Sequence, residues 1–276
     1  MRRLFAALAG LGLCALVVPL IAQDNQTAAP RVQESLMDTL ARAAQLDAES
    51  QRSGLVSFVE NQISTPDRQI RLTGIQGVLS SNASIDQITV SDTEGIYLII
   101  ENAQIVWNQA ALIFARLEIE RLSADSITYV RNPVVTESGP PPSPEASGFS
   151  VPELPVAVTL DQLDVPLVRF GESVFGLSSD VSVTGALTLA GGALDADLDI
   201  TRLDGPGGQL LLEMAYANET EEIDLDLTLT EPENGIIANL LNIEGRPDIS
   251  LSLAGEGQLT NLTTELAFDA GGSRIL

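Results

Sequence analysis

The amino-acid sequence predicts a mainly β protein, in which an N-terminal membrane helix and short helices precede an antiparallel sheet. The first observation is the strict alternation of aliphatic and polar residues in Ile223–Leu229, which returns at Leu198–Ile200, Ile249–Leu253 and Glu265–Phe268. Successive side chains of a strand point to opposite faces, so the aliphatic residues of each segment share one face. Turn residues separate these segments about every 10–15 residues, as in an antiparallel meander. Few helical apolar patterns follow Thr65.

The composition excludes several classes of function. A net charge of −24 disfavours binding to DNA, RNA or an anionic membrane surface, because those partners attract clustered Lys and Arg. The chain has no histidine, and its one cysteine, Cys14, lies within the N-terminal apolar run. These absences remove the nucleophile–histidine arrangements of hydrolases and the usual zinc ligand sets. We therefore expect no enzymatic activity, no cofactor and no bound metal.

Residues 1–22 are expected to direct the chain across an inner membrane. Arg2 and Arg3 precede Leu4–Ala22, an apolar run of 19 residues that is long enough to span a bilayer. Basic residues before such a run place the bulk of the chain outside the cytoplasm, in the periplasm. The alternative is a secretory signal cleaved after Ala22, although Leu20 occupies a position where a small residue is preferred. The sequence leaves a single-pass anchor and a cleaved signal both open.

Residues 23–65 are predicted to be helical after a polar spacer. The apolar residues of Val32–Glu49 recur at helical spacing, which predicts a first helix. A second, shorter helix is predicted over Leu55–Ile63. It ends before Pro66, because the residue that precedes a proline is disfavoured in helical conformation.

Residues 66–133 are predicted to form a first β segment and residues 156–276 a second. In the first segment the predicted strands are Ile70–Thr73, Ile85–Val90, Ile96–Trp107, Ala115–Ile119 and Ser126–Val130. In the second they are Val156–Leu163, Leu167–Phe170, Val181–Leu189, Leu194–Thr201, Gln209–Tyr216, Ile223–Thr230, Ile249–Ala254 and Thr263–Phe268. Gly191-Gly192 and Asn218-Glu219 are predicted hairpin turns, and Ile236–Ile243 is a predicted short helix.

A Pro-rich loop, residues 134–155, separates the two β segments. Gly139–Pro144 contains four prolines, which cannot donate the hydrogen bonds of a β ladder. This segment is therefore predicted to be an exposed loop or linker. Because the alternation resumes directly after it, the second β segment is expected to continue the sheet of the first.

The order of elements between Leu55 and Pro133 is also informative. A hydrophobic anchor and the short helix at Leu55 precede a turn at Ile75–Leu79, a strand that ends at Asp92, and a strand that carries Trp107. In these residues and this order, about a third of the chain resembles the N-terminal part of the TamB family. These proteins are the inner-membrane-anchored subunits of the translocation and assembly module, within the AsmA-like superfamily of bridge-like lipid transfer proteins.

The resemblance implies a long, curved antiparallel sheet of the β-taco type, which forms an apolar groove across the periplasm. It implies that phospholipid is conducted toward the outer membrane, or that proteins are assembled there with the chain's help. The implied partners are the inner membrane, phospholipid acyl chains and the outer-membrane barrel TamA, with no nucleic acid among them.

Two neighbouring predicted strands supply the candidate lining of such a groove. The lining residues are Ile223, Leu225, Leu227, Leu229, Ile249, Leu251 and Leu253. Their polar neighbours Asp224, Asp226, Ser250 and Ser252 would face the periplasm. The scarcity of aromatic residues and of covering helices favours a groove. Alternation alone does not separate a groove from the dry core of a sandwich, so the alternative is a periplasmic structural or adhesion protein with a closed core and no transport role.

The acidic residues of these strands have a simpler interpretation than metal binding. Asp195, Asp197 and Asp199 alternate with apolar residues, as do Asp224 and Asp226, so each set shares a strand face. A calcium site needs a tight turn and a cage of about six to eight oxygens. We therefore interpret these carboxylates as solvated charge on an outer face, where they also discourage edge-to-edge association.

Overall fold

A computed structural model describes residues 64–65, 68–77, 80–134, 150–205 and 207–275. The predicted membrane segment 1–22, both predicted N-terminal helices and residues 135–149 of the predicted Pro-rich loop lie outside these ranges. None of the helices within them is long and apolar enough to span a membrane.

The described chain is mainly β, and its strands belong to one thirteen-stranded sheet. The strands are β1 (Gln69–Gln76), β2 (Asn82–Asp92), β3 (Gly95–Asn108), β4 (Arg116–Ser123), β5 (Ser126–Tyr129), β6 (Ala157–Phe170), β7 (Ser179–Ala190), β8 (Ala193–Arg202), β9 (Gln209–Ala217), β10 (Glu222–Glu231), β11 (Ile249–Gln258), β12 (Asn261–Ala270) and β13 (Ser273–Ile275). Strands from both predicted β segments therefore lie in the same sheet.

The sheet is antiparallel except at one position. Strands β4 and β5 run in the same direction, end to end, and both pair antiparallel with β3. Together they fill the space between the two 14-residue strands β3 and β6. Their pairing with β6 is parallel, because the chain returns to the far end of the sheet before β6 begins. The predicted antiparallel sheet is thus confirmed apart from this parallel junction, which the sequence does not predict.

In the described residues after Thr65, three short helices connect strands, and the sequence predicts one of them. They are a 3₁₀ helix at Gln109–Phe114, helix α1 at Glu172–Phe175 and helix α2 at Ile236–Leu240. Only α2 matches a prediction, over Ile236–Ile243. The other two have four to six residues, which is too short for a helical apolar period to be visible in the sequence.

Two β-bulges keep the apolar residues of β6 on one face. The register with β7 shifts between Leu160 and Leu163, so one extra residue separates these leucines. It shifts again between Val165 and Val168, around Pro166, where a strand tolerates a residue without a backbone donor. All four apolar residues are buried as a result. The bulges also explain why the alternation predicts two strands where the structure has one.

The bulge in β6 lies beside an irregularity in β4. The register of β3 with β4 shifts between Val106 and Trp107. Val106 pairs with Arg121, so Arg121 borders the shift on β4. The Nε of Arg121 donates to the Oε1 of Gln162 at 3.2 Å, which joins the irregular positions of the two strands. Because bulged strands bend and twist more strongly than regular ones, these positions curve the sheet.

Apolar side chains collect on one face of the sheet, which we call the inner face; the opposite face is the outer face. Most buried residues of the inner face form one cluster that extends from Ile70 on β1 to Ile249 on β11, and Leu189 and Tyr216 belong to a second cluster. Trp107 packs at the edge of the first cluster, and its indole Nε1 donates to the backbone oxygen of Ser80 at 3.0 Å.

Candidate functional site

The seven candidate lining residues all lie on the inner face, because the register of β10 with β11 aligns their aliphatic positions. Leu227 is opposite Leu253, and Leu229 is opposite Leu251. Of the seven, the buried residues are Leu227, Leu229 and Ile249, and the half-buried residues are Ile223, Leu225, Leu251 and Leu253. The structure therefore brings the predicted residues together on one surface.

This surface extends well beyond the two predicted strands. Leucines occupy matching positions on five adjacent strands, and we call this set the leucine row. It consists of Leu198, Leu212, Leu227, Leu253 and Leu266. Leu227 is only 5% exposed, whereas Leu266 is 53% exposed. The leucine row is thus buried at β10, half-buried at β8, β9 and β11, and open to solvent at β12.

A second row of apolar residues lies beside the leucine row, two residues along each strand in the direction of helices α1 and α2. It consists of Val165, Val183, Ile200, Leu210, Leu229, Leu251 and Phe268, on strands β6 to β12. The first five are buried, and the last two are half-buried. From β10 onward, both rows therefore become more exposed toward β12.

Helices α1 and α2 cover one end of the inner face. Ala238 of α2 is fully buried, and Phe175 of α1 packs in the same apolar cluster. The two helices are joined by a hydrogen bond from the Nδ2 of Asn239 to the backbone oxygen of Phe175, at 2.7 Å. The connections β6–β7 and β10–β11 thereby close this end of the apolar surface.

A buried charged pair anchors α2 to the sheet. The carboxylate of Glu231, at the end of β10, accepts hydrogen bonds from the backbone N–H groups of Ile236, Ile237 and Ala238, the latter two at 2.7 and 3.4 Å. The Nη1 of Arg202 lies 4.0 Å from the Oε1 of Glu231, and both side chains are more than nine-tenths buried. The carboxylate thus satisfies the backbone donors that begin the helix.

The roles of Glu231 and Arg202 are not predicted from the sequence. Each is the last residue of an alternating strand, where a charged residue normally indicates a turn. The alternation Leu227, Leu229, Glu231 does place the carboxylate on the aliphatic face, and Gly235 follows just before α2. Arg202 also binds the carboxylate of Asp204 at 2.9 Å, and this hydrogen bond raises the pKa of the guanidinium.

The opposite end of the inner face is covered by residues 150–156, which we call the strap. Val151 is 5% exposed and packs with Leu189 and Tyr216 of the inner face. The prediction that residues 134–155 are an exposed loop is therefore wrong at Val151. The error arises because the partners of Val151 are distant in sequence, and local composition carries no information about them.

A second ion pair, between a half-buried arginine and a buried aspartate, lies near the ends of β2 and β5. Arg131 contacts both carboxylate oxygens of Asp92 and lies over the ring of Tyr97, 5.8 Å from its centroid. Tyr97 is the first ring of an edge-to-face series that continues through Tyr129, Phe170 and Phe175. This series links the first β segment to α1.

The outer face carries the predicted carboxylates and hydroxyls. Asp224, Asp226, Ser250 and Ser252 are all exposed there. Asp197, Glu213 and Asp226 lie directly opposite one another on three adjacent strands. Across the ranges that the structure describes, no group of acidic or cysteine side chains is arranged to hold a metal ion.

Comparisons of the chain with protein-family models, with curated proteins and with solved structures give no match in any of the three. The class that the fold itself defines is a β protein with one long sheet, whose continuous aliphatic inner face is covered at both ends and open at β12.

Proposed function

We propose that this chain is part of a periplasm-spanning protein of envelope biogenesis, and that its inner face conducts phospholipid acyl chains toward the outer membrane. The observation that carries the proposal is the leucine row. Its aliphatic positions continue without interruption across five strands and end at Leu266, which is 53% exposed. Such a surface offers an apolar path that is accessible from one side.

The chemistry of the inner face suits an acyl chain. Exposed aliphatic surface costs about 25 cal/mol per Å² in water, and a hydrocarbon tail removes that cost without polar contacts. Leu253, Leu262 and Leu266 all retain exposure on the inner side of β11 and β12. Aromatic residues make up only 4% of the chain, which disfavours planar ligands and sugars.

The location and partners of the proposed protein rest on the sequence. Residues 1–22 would hold the chain at the inner membrane as a single-pass anchor, with the sheet in the periplasm. The resemblance to the TamB family supports TamA, an outer-membrane barrel, as the partner at the outer membrane. It also supports a role in assembling outer-membrane proteins, for which an extended apolar surface is equally suited.

A specific observation favours a second candidate, a periplasmic structural protein with a closed core. Val165, Val168 and Val183 are each 2–3% exposed, as expected for the dry interior of a folded domain. If side chains fill the whole inner face in solution, no lipid would enter. The two candidates therefore differ in whether the half-buried and exposed leucines contact lipid.

Site-specific photo-crosslinking distinguishes them. A photoreactive amino acid is placed at Leu253 on the inner face or at Ser252, its neighbour on the outer face, in the full chain produced in cells. We expect phospholipid adducts at position 253 and none at position 252, measured by mass spectrometry. Because the two positions are adjacent, they share the same depth in the envelope and differ only in the face of the sheet.

Absence of lipid adducts at position 253, with no phospholipid co-purifying with the wild-type chain, would refute the transport proposal. A closed-core structural protein would then be the better description. Adducts at both positions would indicate nonspecific contact with membrane and would also count against a conducting inner face.

A further inference from the structure

Two apolar side chains project into solvent from the connection between β3 and β4. Ile113 is 74% exposed and Phe114 is 67% exposed, and both lie at the end of the 3₁₀ helix Gln109–Phe114, which we call the tip. No other large apolar side chain in the described residues is more than 53% exposed. Single exposed apolar residues are common on protein surfaces, whereas an adjacent pair this exposed points to a contact outside the sheet.

The tip holds this pair in a defined conformation. At its start, the side chain of Asn108 accepts a hydrogen bond from the backbone N–H of Ala110 at 3.1 Å. At its end, Ala115 is in the left-handed conformation, and its backbone oxygen accepts from the N–H of Ala157 on β6 at 3.0 Å. Ala111, between these two ends, is 2% exposed and fixes the tip against the fold. The apolar pair is therefore presented on a capped helix that is bonded to the sheet.

The tip is uncharged in a strongly acidic chain. Residues 102–115 contain no Asp, Glu, Lys or Arg, although the chain carries a net charge of −24. The first charged residue after the pair is Arg116, whose guanidinium carbon lies 5.9 Å from the centroid of the Phe114 ring. The side chain of Arg116 is 55% exposed and pairs with Glu118 at 3.2 Å. An apolar end with an arginine behind it matches a bilayer, in which acyl chains lie beneath a layer of phosphates.

The shape of the tip also suits a bilayer better than a protein partner. A stable protein interface buries about 800 Å² on each partner, far more than two side chains on one short helix can supply. A bilayer needs no complementary pocket, because its acyl chains rearrange around an inserted side chain. The net charge of −24 disfavours an anionic surface, so the expected bilayer is zwitterionic.

We infer that the tip inserts Ile113 and Phe114 into the boundary between head groups and acyl chains of a zwitterionic bilayer, and thereby docks one end of the sheet on a membrane. This surface is separate from the inner face, and the inference does not depend on lipid conduction. Two apolar side chains alone bind a bilayer weakly and reversibly. With residues 1–22 as a membrane anchor, the tip acts at a high effective concentration and sets the orientation of the sheet.

The test places a fluorescent label on the tip. In the full chain with Cys14→Ser, Ile113→Cys is labelled with nitrobenzoxadiazole, and the chain is reconstituted into phosphatidylcholine vesicles. We expect nitroxide groups on the lipid acyl chains to quench this label, and the bilayer to protect it from iodide in the water. The control is Leu203→Cys with the same label, because Leu203 is 51% exposed in the connection between β8 and β9. A label at position 203 should show the opposite response.

Two further measurements test the cause of insertion. Phe114→Ser in the chain labelled at position 113 should abolish quenching by the nitroxide lipid. Ala110→Ser, at an exposed position of the same helix, should leave the quenching unchanged. Quenching should persist at about 1 M salt, which screens exposed charges, because insertion depends on apolar burial. Equal quenching in the two serine variants, or its loss at high salt, would contradict an apolar insertion.

The remaining outcomes are equally decisive. If iodide quenches positions 113 and 203 alike and the nitroxide lipid affects neither, the tip stays in water and the inference is wrong. Protection from iodide without quenching by the nitroxide lipid would indicate a protein contact at the tip, which would also refute the inference. Circular dichroism should show unchanged β structure, because exposed substitutions have little effect on stability. Crosslinking at Leu253 is independent of these measurements, so failure of this inference and failure of lipid conduction are observed separately.

Discussion

Arg131 and Asp92 form a bidentate ion pair, with Nη2–Oδ1 and Nη1–Oδ2 distances of 2.5 and 2.8 Å. The side chain of Asp92 is 2% exposed, and it also accepts hydrogen bonds from the backbone N–H groups of Glu94 and Val134. The hydrogen bond from Arg131, with smaller contributions from the two backbone donors, holds the pKa of Asp92 well below its usual range. The pair fixes residues 131–134 to the β2–β3 hairpin.

This relationship predicts an acid-dependent contribution to stability. A carboxyl whose pKa is lower in the folded state stabilises the fold above its unfolded pKa of about 3.9 and loses that contribution as the pH falls below it. We expect Asp92→Asn to lower the Tm at about pH 6, and the gap from wild type to shrink toward about pH 3. The control is Asp226→Asn on the outer face. A gap that stays constant over this range would contradict the prediction.

Removal of the anchor of α2 should destabilise the fold. Glu231→Ala leaves the first N–H groups of α2 without an acceptor, while Arg202 keeps Asp204 as a counter-charge, so we expect a cost of about 3 kcal/mol of unfolding free energy. Glu231→Gln keeps an acceptor and should cost less. Urea denaturation of the full chain in detergent measures both. Equal losses for the two variants would show that the hydrogen bonds contribute little.

Gly235 should depend on Glu231. A Cβ atom at Gly235 would lie within 2.1 Å of three atoms of the Glu231 side chain, so Gly235→Ala forces the carboxylate away from α2. We expect a loss of stability close to that of Glu231→Ala. In a Glu231→Ala background, Gly235→Ala should have little further effect, because the obstructing side chain is gone. Gly255→Ala, whose nearest atoms are 3.6 Å from the added Cβ, serves as the control. Additive losses would exclude this coupling.

The leucine row predicts a gradient of tolerance to charge. Leu227→Asp buries a carboxylate without a partner and should cost roughly 3 kcal/mol or more. Leu266→Asp should change stability by less than about 0.5 kcal/mol, since a 53% exposed side chain keeps contact with water. Leu225→Asp and Leu251→Asp should fall between them and abolish co-purification of phospholipid. Unfolding of all four variants to the same extent would indicate a closed core.

The acidic outer face predicts a substitution that stabilises. Glu213 lies between Asp197 and Asp226 on adjacent strands, and like charges directly opposite each other are unfavourable. Glu213→Gln should therefore raise the unfolding free energy by about 0.5 kcal/mol at low salt. The gain should vanish near 1 M salt, where the screening length is about 3 Å. A gain that persists at high salt would point to packing as its cause.

The local sequence predicts most strands and the face that each presents. Alternation identifies β10 and β11 and places Leu227 and Leu251 on a common face, and the Gly191-Gly192 turn is confirmed with positive φ at both residues. These features depend on neighbours within a few residues. The period of two in a strand and the freedom of glycine at positive φ are properties of short segments.

Features set by distant partners are not predictable in this way. The shift between Leu160 and Leu163 is defined by the pairing with β7, so the sequence of β6 alone gives no sign of it. The cluster that buries Val151 includes residues distant in sequence, such as Leu189 and Tyr216. Asparagine is a residue type typical of turns, but the side chain of Asn218 also hydrogen-bonds to the strap. The candidate surface and helix α2 were therefore predictable, whereas the strap and the Glu231 anchor of α2 were not.

The parallel junction at β6 has a consequence for how the protein acquires its structure. Strand pairs on either side of it join neighbours in the chain, whereas β4 and β5 pair with β6 across about forty residues, as in Arg116 with Ala157. Loop closure makes such non-local contacts slow to form. Because β1–β5 precede β6 in the chain, this meander would form before the strand that completes it. Its apolar face would stay uncovered until β6 pairs with β4 and β5.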